Sequence, residues 1–222
     1  MIHFLSGLPR TGSTLLTSIL YQNPLIHTEG SSNLCDLMWQ SHVSLQGDAI
    51  AANNRQRHAH QMVSDLPARY YSDITRPIII DKCRAWCNSA NVAMLRKYVT
   101  PQPKIVVMTR NLADITKSLK TLFERNGRND FDTSGIVDEF NSSMVGVKMA
   151  QNADDPNTFL FVDYDDLIEN AQFELNRIYE FFELEAFKHD LFDIKTVNQE
   201  DDLVHGLIGM HDVRKTITRR IT

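Results

Sequence analysis

Arg10, Ser13, Thr14, Lys82, Arg110 and Ser118 are the side chains of this 222-residue sequence whose types and settings point to one chemistry, the gripping of phosphate esters. Arg10 to Thr14 lie in Phe4-Leu5-Ser6-Gly7-Leu8-Pro9-Arg10-Thr11-Gly12-Ser13-Thr14-Leu15-Leu16, an apolar strand that passes through a glycine-bounded loop directly into a helix. Peptide N–H groups at Gly12, Ser13 and Thr14 then have no intrahelical acceptor, and the helix dipole adds positive potential at the same end. Gly7 and Gly12 let the backbone turn sharply and approach a ligand closely. The glycine spacing is that of the nucleoside-triphosphate loop G-x-x-x-x-G-K-[ST], but Ser13 stands where that motif needs lysine. The cation inside the loop is Arg10, ahead of the second glycine, so a phosphate-bearing ligand other than conventionally bound Mg-ATP is expected.

A second phosphate grip follows Lys104-Ile105-Val106-Val107-Met108-Thr109, whose β-branched apolar run suits a strand buried on both faces of a parallel sheet. It ends in Arg110, and Asn111 opens a helix on which Ser118 lies roughly 8–10 Å from the start, within reach of the Arg110 side chain. Arginine suits the task because its planar fork makes two parallel charge-assisted bonds to phosphate oxygens. Pro77-Ile78-Ile79-Ile80-Asp81-Lys82 is a third strand, delivering Asp81, Lys82 and Arg84 at its carboxyl end, where ligands bind in open α/β sheets. Two readings stay open for Lys82: a cation that stabilises charge developing in a transferred group, or a solvated lysine paired with Asp81.

Pro9-Arg10-Thr11-Gly12-Ser13-Thr14-Leu15-Leu16 resembles the phosphosulfate loop of sulfotransferases that use 3′-phosphoadenosine 5′-phosphosulfate (PAPS), most closely the P-R-S-G-[S/T]-T-L of the tyrosylprotein-sulfotransferase and bacterial or phage branch. Arg110 and Ser118 fall on that family's R-[D/N]-x-x-[D/A]-x-x-x-S segment, which implies a clamp on the donor's 3′-phosphate. The resemblance further implies that Thr11, Gly12, Ser13 and Thr14 hold the 5′-phosphosulfate and that Lys82 is the catalytic cation. Two separate basic pockets, centred on Arg10 and Arg110, are expected to hold opposite ends of one nucleotide. The implied reaction moves a sulfuryl group from PAPS, leaving PAP, in line to a hydroxyl or amine, with no metal.

Such a reaction needs a base to take the acceptor's proton rather than an enzyme nucleophile. Glu29 and His27, just beyond the first helix, are the candidates, although the family's glutamate falls nearer Ser31. Val162-Asp163-Tyr164-Asp165-Asp166-Leu167 resembles the family's Y-E-D-L element, where Tyr164 either contacts the donor or packs a strand end. Gly206-Leu207-Ile208-Gly209-Met210-His211-Asp212-Val213-Arg214-Lys215 is loosely similar to the glycine-containing basic loop that closes over the 3′-phosphate, with Arg214 and Lys215 as its cations; here the basic pair follows the glycines.

The elements that must position these groups alternate strand and helix, predicting a P-loop-like parallel sheet with helices on both faces. Strands are expected at Ile2 to Ser6, Ile78 to Asp81, Ile105 to Thr109 and Thr158 to Val162, with a mostly helical insertion from Ser32 to Tyr71 after the first helix. Breaks are expected at Asn23-Pro24 and at Gly127-Arg128-Asn129-Asp130. The length fits one domain spanning residues 1–222. Net charge is −5, from 23 basic against 28 acidic residues, so no global field draws nucleic acid and cations must be gathered locally. Three cysteines make neither a disulfide framework nor a zinc quartet, and no apolar run approaches ~18 residues, which predicts a cytoplasmic chain without membrane partners. The acceptor is expected to be a small molecule, carbohydrate or peptide. A small-molecule kinase using ATP and a non-catalytic nucleotide-binding module are the rival readings.

Overall fold

The computed structural model describes residues 1–47, 52, 54–128, 133–197, 202–204 and 206–217; the expected break at Asn129-Asp130 lies outside them. Five parallel strands form one sheet: β1 Ile2–Gly7, β2 Ile26–His27, β3 Ile78–Lys82, β4 Ile105–Thr109 and β5 Phe159–Asp163, in the order β2-β3-β1-β4-β5. The helices are α1 Ser13–Leu20, α2 Leu34–Ser44, α3 Gln56–Tyr70, α4 Ser89–Tyr98, α5 Leu112–Arg125, α6 Thr133–Asn152, α7 Tyr164–Glu169 and α8 Ala171–Phe181, with a 3₁₀ turn at Arg84–Cys87. The sequence pattern missed β2, because two residues give no periodicity to read.

Strand alternation divides the apolar side chains between two cores. Phe4, Ile79, Ile105 and Val107 pack with Leu34, Met38, Trp86, Leu95 and Ile115 on one face. Leu5, Ile80, Val106 and Met108 pack with Leu16, Ile19, Leu175 and Ile178 on the other. The chain leaves β1 for β2 on one side and passes from β3 to β4 on the other. The carboxyl end of β1 is therefore the topological switch point, where a crevice opens above an open α/β sheet. The insertion foreseen after α1 contributes α2 and α3 to the first of these layers.

Three helices start at the carboxyl ends of neighbouring strands, and one differs from the others. The Asn111 side chain accepts from Ala113 N–H (2.9 Å) to cap α5, and Asp163 accepts from Asp165 N–H (2.9 Å) to cap α7. The cap of α1 is Gly12, which has no side chain to offer, so its first-turn amides keep their donors for something else. Among the described residues, no helix is long and apolar enough to cross a membrane.

Candidate anion-binding active site

A cleft of about 690 Å³ opens at the switch point, lined by the loop after β1, the end of β3, one face of α5, Tyr164 and the chain from Gly209 to Arg214. The loop is shaped by two glycines. Gly7 has φ +137°, and a Cβ there would lie 2.4 Å from the Met108 carbonyl oxygen; Gly12 has φ +82°, and its Cβ would lie 2.5 Å from the Tyr164 ring. Backbone and ring thus meet at distances that only glycine tolerates. Thr11 is fully buried, and its hydroxyl donates to the Leu8 carbonyl (2.7 Å), tying the turn from within. Its side chain does not line the cleft, unlike those of Ser13 and Thr14, so of the loop hydroxyls expected to face a ligand the Thr11 one is turned inward.

Lys82 is almost completely buried, and its Nζ donates to the Thr14 hydroxyl (3.1 Å) at the mouth of α1. Alternation along β3 sends the neighbouring Asp81 to the opposite face, where it accepts from Tyr71 Oη and Trp86 Nε1 at 2.6 Å each. Burial pushes the Asp81 carboxyl up, against the pull of hydrogen bonds from Ser32, Tyr71 and Trp86. One Lys82 bond thus runs to the loop, while Asp81 anchors the insertion and the 3₁₀ turn.

Arg10 holds a left-handed backbone, φ +61°, which is strained for a residue with a Cβ. That turn sends its side chain across to α5, where Nε donates to the Ser118 hydroxyl (3.2 Å) and a terminal nitrogen donates to the Met210 carbonyl. Arg110 donates from a terminal nitrogen to the Arg10 carbonyl (3.0 Å), and its guanidinium lies 4.1 Å from the Tyr164 ring centroid. The Arg110 Nε is buried and has no hydrogen-bond partner among the described residues. Burial, and then the charge of Arg110, hold Arg10 below the usual arginine range. The two separate basic pockets foreseen from the sequence are instead one cluster, because the αL turn of Arg10 places it on Ser118.

Charge is concentrated here despite the acidic whole. Arg10, Lys82, Arg84, Arg110, Lys117, Arg125 and Arg214 line the cleft against the two carboxylates of Asp114 and Asp212. Desolvated like charges with an orphaned guanidinium N–H form a site that an anion would stabilise. Lys117, Thr121 and Arg125 were not singled out in the sequence, although Thr121 and Arg125 lie three and seven residues after Ser118 on its helical repeat, and Lys117 four residues before Thr121 on the adjoining stripe.

The C-terminal segment covers one end. Arg214 reaches within 5.9 Å of the Tyr164 ring, whereas Lys215 is exposed, does not line the cleft, and contributes its carbonyl to Ile194 N–H (2.8 Å). His27 and Glu29 are likewise not among the lining residues; the position from that segment that does line the cleft is Ser31. His27 Nε2 lies 3.9 Å from a Glu29 carboxylate oxygen. Burial and then Arg76 lower the His27 pKa, so near neutral pH the ring is uncharged. Burial, then Asp81 and Asp73, push the Glu29 carboxyl up.

A family model described as "Sulfotransferase family" matches residues 3–189. No curated protein sequence matches the chain significantly. Among solved structures, a sulfotransferase domain from the curacin biosynthetic pathway superposes with TM-score 0.60 at 14% identity, covering 98% of this chain and 87% of that one. The sulfotransferase domain of the Synechococcus PCC 7002 olefin synthase gives 0.58 at 18% identity over 84% and 74%. Sulfotransferase STF1 from Mycobacterium tuberculosis H37Rv gives 0.51 at 16% identity over 84% and 68%. At these identities the likeness is one of fold.

Proposed function

From the premise that this chain belongs to the sulfotransferase family, we propose that it moves a sulfuryl group from PAPS, in line, to a hydroxyl or amine acceptor. The observation that carries this reading is the single cluster of Arg10, Arg110 and Ser118 beside an uncapped helix start in one cleft. The first-turn amides of α1, with the Ser13 and Thr14 hydroxyls, would hold the 5′-phosphosulfate. Arg110 and Ser118 would take the 3′-phosphate, Arg10 would bridge the two ends, and Arg214 would add charge from above the Tyr164 ring. The buried, partnerless Arg110 Nε fits such an anion. Lys82, held on Thr14, would neutralise charge as the sulfuryl group departs, so arginine and lysine provide what magnesium supplies elsewhere.

We assign the acceptor's proton to Glu29, two residues before the cleft-lining Ser31, with the neutral His27 beside it as the second candidate. A base must be ionised, and this carboxyl's pKa lies above the ordinary glutamate value. Turnover should therefore climb with pH through that raised pKa and then level. Glu29→Gln should abolish the rising limb and lower the plateau by about 10²-fold; a Glu29→Gln profile that keeps the limb would move the base to His27 or solvent.

The acceptor class is a sugar, a peptide tyrosine or a small alcohol, with the helices α2 and α3 shaping its approach. The odd count of three cysteines, with no paired framework in their spacing, supports the cytoplasmic setting proposed here. The test is transfer of radiolabelled sulfur from PAPS, in the presence of EDTA, to pools of the three acceptor classes. Label in an acceptor pool supports the reading; no label with any pool, alongside magnesium-dependent consumption of ATP, would replace it with the kinase reading.

A further inference from the structure

The segment over the cleft is pinned by a side chain that has no place in the donor site. Asn126, directly after α5, donates from Nδ2 to the Ile208 carbonyl (3.0 Å) and accepts at Oδ1 from the Ile208 N–H (2.8 Å). Its Nδ2 also donates to the Leu122 carbonyl (2.9 Å), which fixes the amide's orientation on the helix. The Ile208 side chain is 66% exposed, so this paired hydrogen bond, rather than burial of that side chain, fixes the peptide at 208. Next to it, Leu207 is buried against Leu122 and Phe123, with Met210 packed on the same group.

Two residues further on, the Met210 carbonyl accepts from the Arg10 guanidinium, whose Nε is on Ser118. Ser118 lies on the helix that Asn126 terminates, about 12 Å back along its axis. The contacts therefore close a ring: Ser118, Arg10, Met210, Ile208, Asn126 and back along α5. A second fastening holds the far side of the segment, where Asp202 accepts from the His211 ring (2.6 Å) and the His211 backbone N–H (3.3 Å).

We infer that Asn126 is a positioning residue: it registers the 206–210 segment against α5 so that the Met210 carbonyl aims the Arg10 guanidinium at the anion held by Ser118. This inference rests on the PAPS reading for the identity of that anion. Asn126 does not line the cleft, so its effect must pass through the segment and appear in donor binding rather than in the transfer step.

Asn126→Ala removes both halves of the pair; Asn126→Asp keeps an acceptor for Ile208 N–H and sets a carboxylate against the Ile208 carbonyl. Calorimetric titration with PAP should show affinity falling about 10-fold in Asn126→Ala, the worth of one to two net hydrogen bonds. The donor KM should rise in parallel, with kcat within about 2-fold of wild type. In Asn126→Asp, affinity relative to wild type should recover as pH falls from 7 towards the ordinary aspartate pKa of about 3.9, because the protonated carboxyl regains a donor for the Ile208 carbonyl. PAP binding equal in wild type and Asn126→Ala would overturn the inference while leaving the donor assignment standing. A wild-type protein that does not bind PAP would instead overturn the donor assignment, and with it this inference.

Discussion

Arg110→Ala is expected to weaken PAP binding by about 10²–10³-fold while leaving the melting temperature within about 4 °C of wild type. Two charge-assisted hydrogen bonds from a guanidinium fork contribute about 1.5–3 kcal/mol each, and each 1.4 kcal/mol is about a factor of ten; Arg10 remains nearby, which holds the loss near that range. The fold should survive because Arg110 gives the protein little in return. Among the described residues its Nε has no partner, one terminal nitrogen serves the Arg10 carbonyl, and its charge opposes the ionisation of Arg10. Losing one hydrogen bond of about 1 kcal/mol moves the melting point of a chain this size by about 2–4 °C. Arg110→Lys keeps the charge and loses both the fork and the flat contact with Tyr164. It should bind PAP about 10-fold more weakly than wild type. Calorimetry and a thermal melt check the set. A variant that binds PAP as wild type does would remove Arg110 from the donor site.

Lys82→Ala carries the second large effect, on a different quantity. The ammonium sits at the start of α1, bonded to the Thr14 hydroxyl, beside the first-turn amides proposed to hold the phosphosulfate. In the proposed transfer, charge on the sulfuryl oxygens is absent from PAP while charge left on the bridging oxygen persists there, so losing the lysine should lower kcat more than PAP affinity but weaken both. Removing one preorganised donor of this type costs about 10²–10³ in kcat. PAP affinity should fall by about 10-fold, the low end of a net hydrogen bond to a charged group. Single-turnover rates and PAP titration separate the two quantities. Equal losses in both would assign Lys82 to binding alone.

How much of this could be read from the residues varies with sequence separation. The strand-loop-helix at Ile2 to Leu20 and the strand-helix at Ile105 to Arg125 are local patterns, and the structure has both at those residues. β2 escaped because its register is set by pairing with β3 and not by its own two residues. Gly12 was legible as a conformational requirement, but its reason was not: the Tyr164 ring, 152 positions later, occupies the space of a Cβ. Arg10 was read as part of the phosphosulfate loop, whereas its hydrogen bonds run to residues 118 and 210. A left-handed turn at a non-glycine residue leaves no compositional trace, so the merging of two pockets into one could not be foreseen. Thr11 shows the same limit, since whether a loop hydroxyl faces ligand or backbone depends on the turn that carries it. Asn126 offered only the appearance of a helix-ending residue before Gly127.

The most direct test of the account is the ratio of affinities for PAP and AMP, titrated into wild-type protein in EDTA. The two nucleotides differ in the 3′-phosphate, the group assigned to Arg110 and Ser118 with Arg10 alongside. Binding of PAP at least about 100-fold tighter than AMP, with the ratio collapsing in Arg110→Ala, is the predicted result. Equal affinity for the two, or a ratio unchanged by Arg110→Ala, would contradict it.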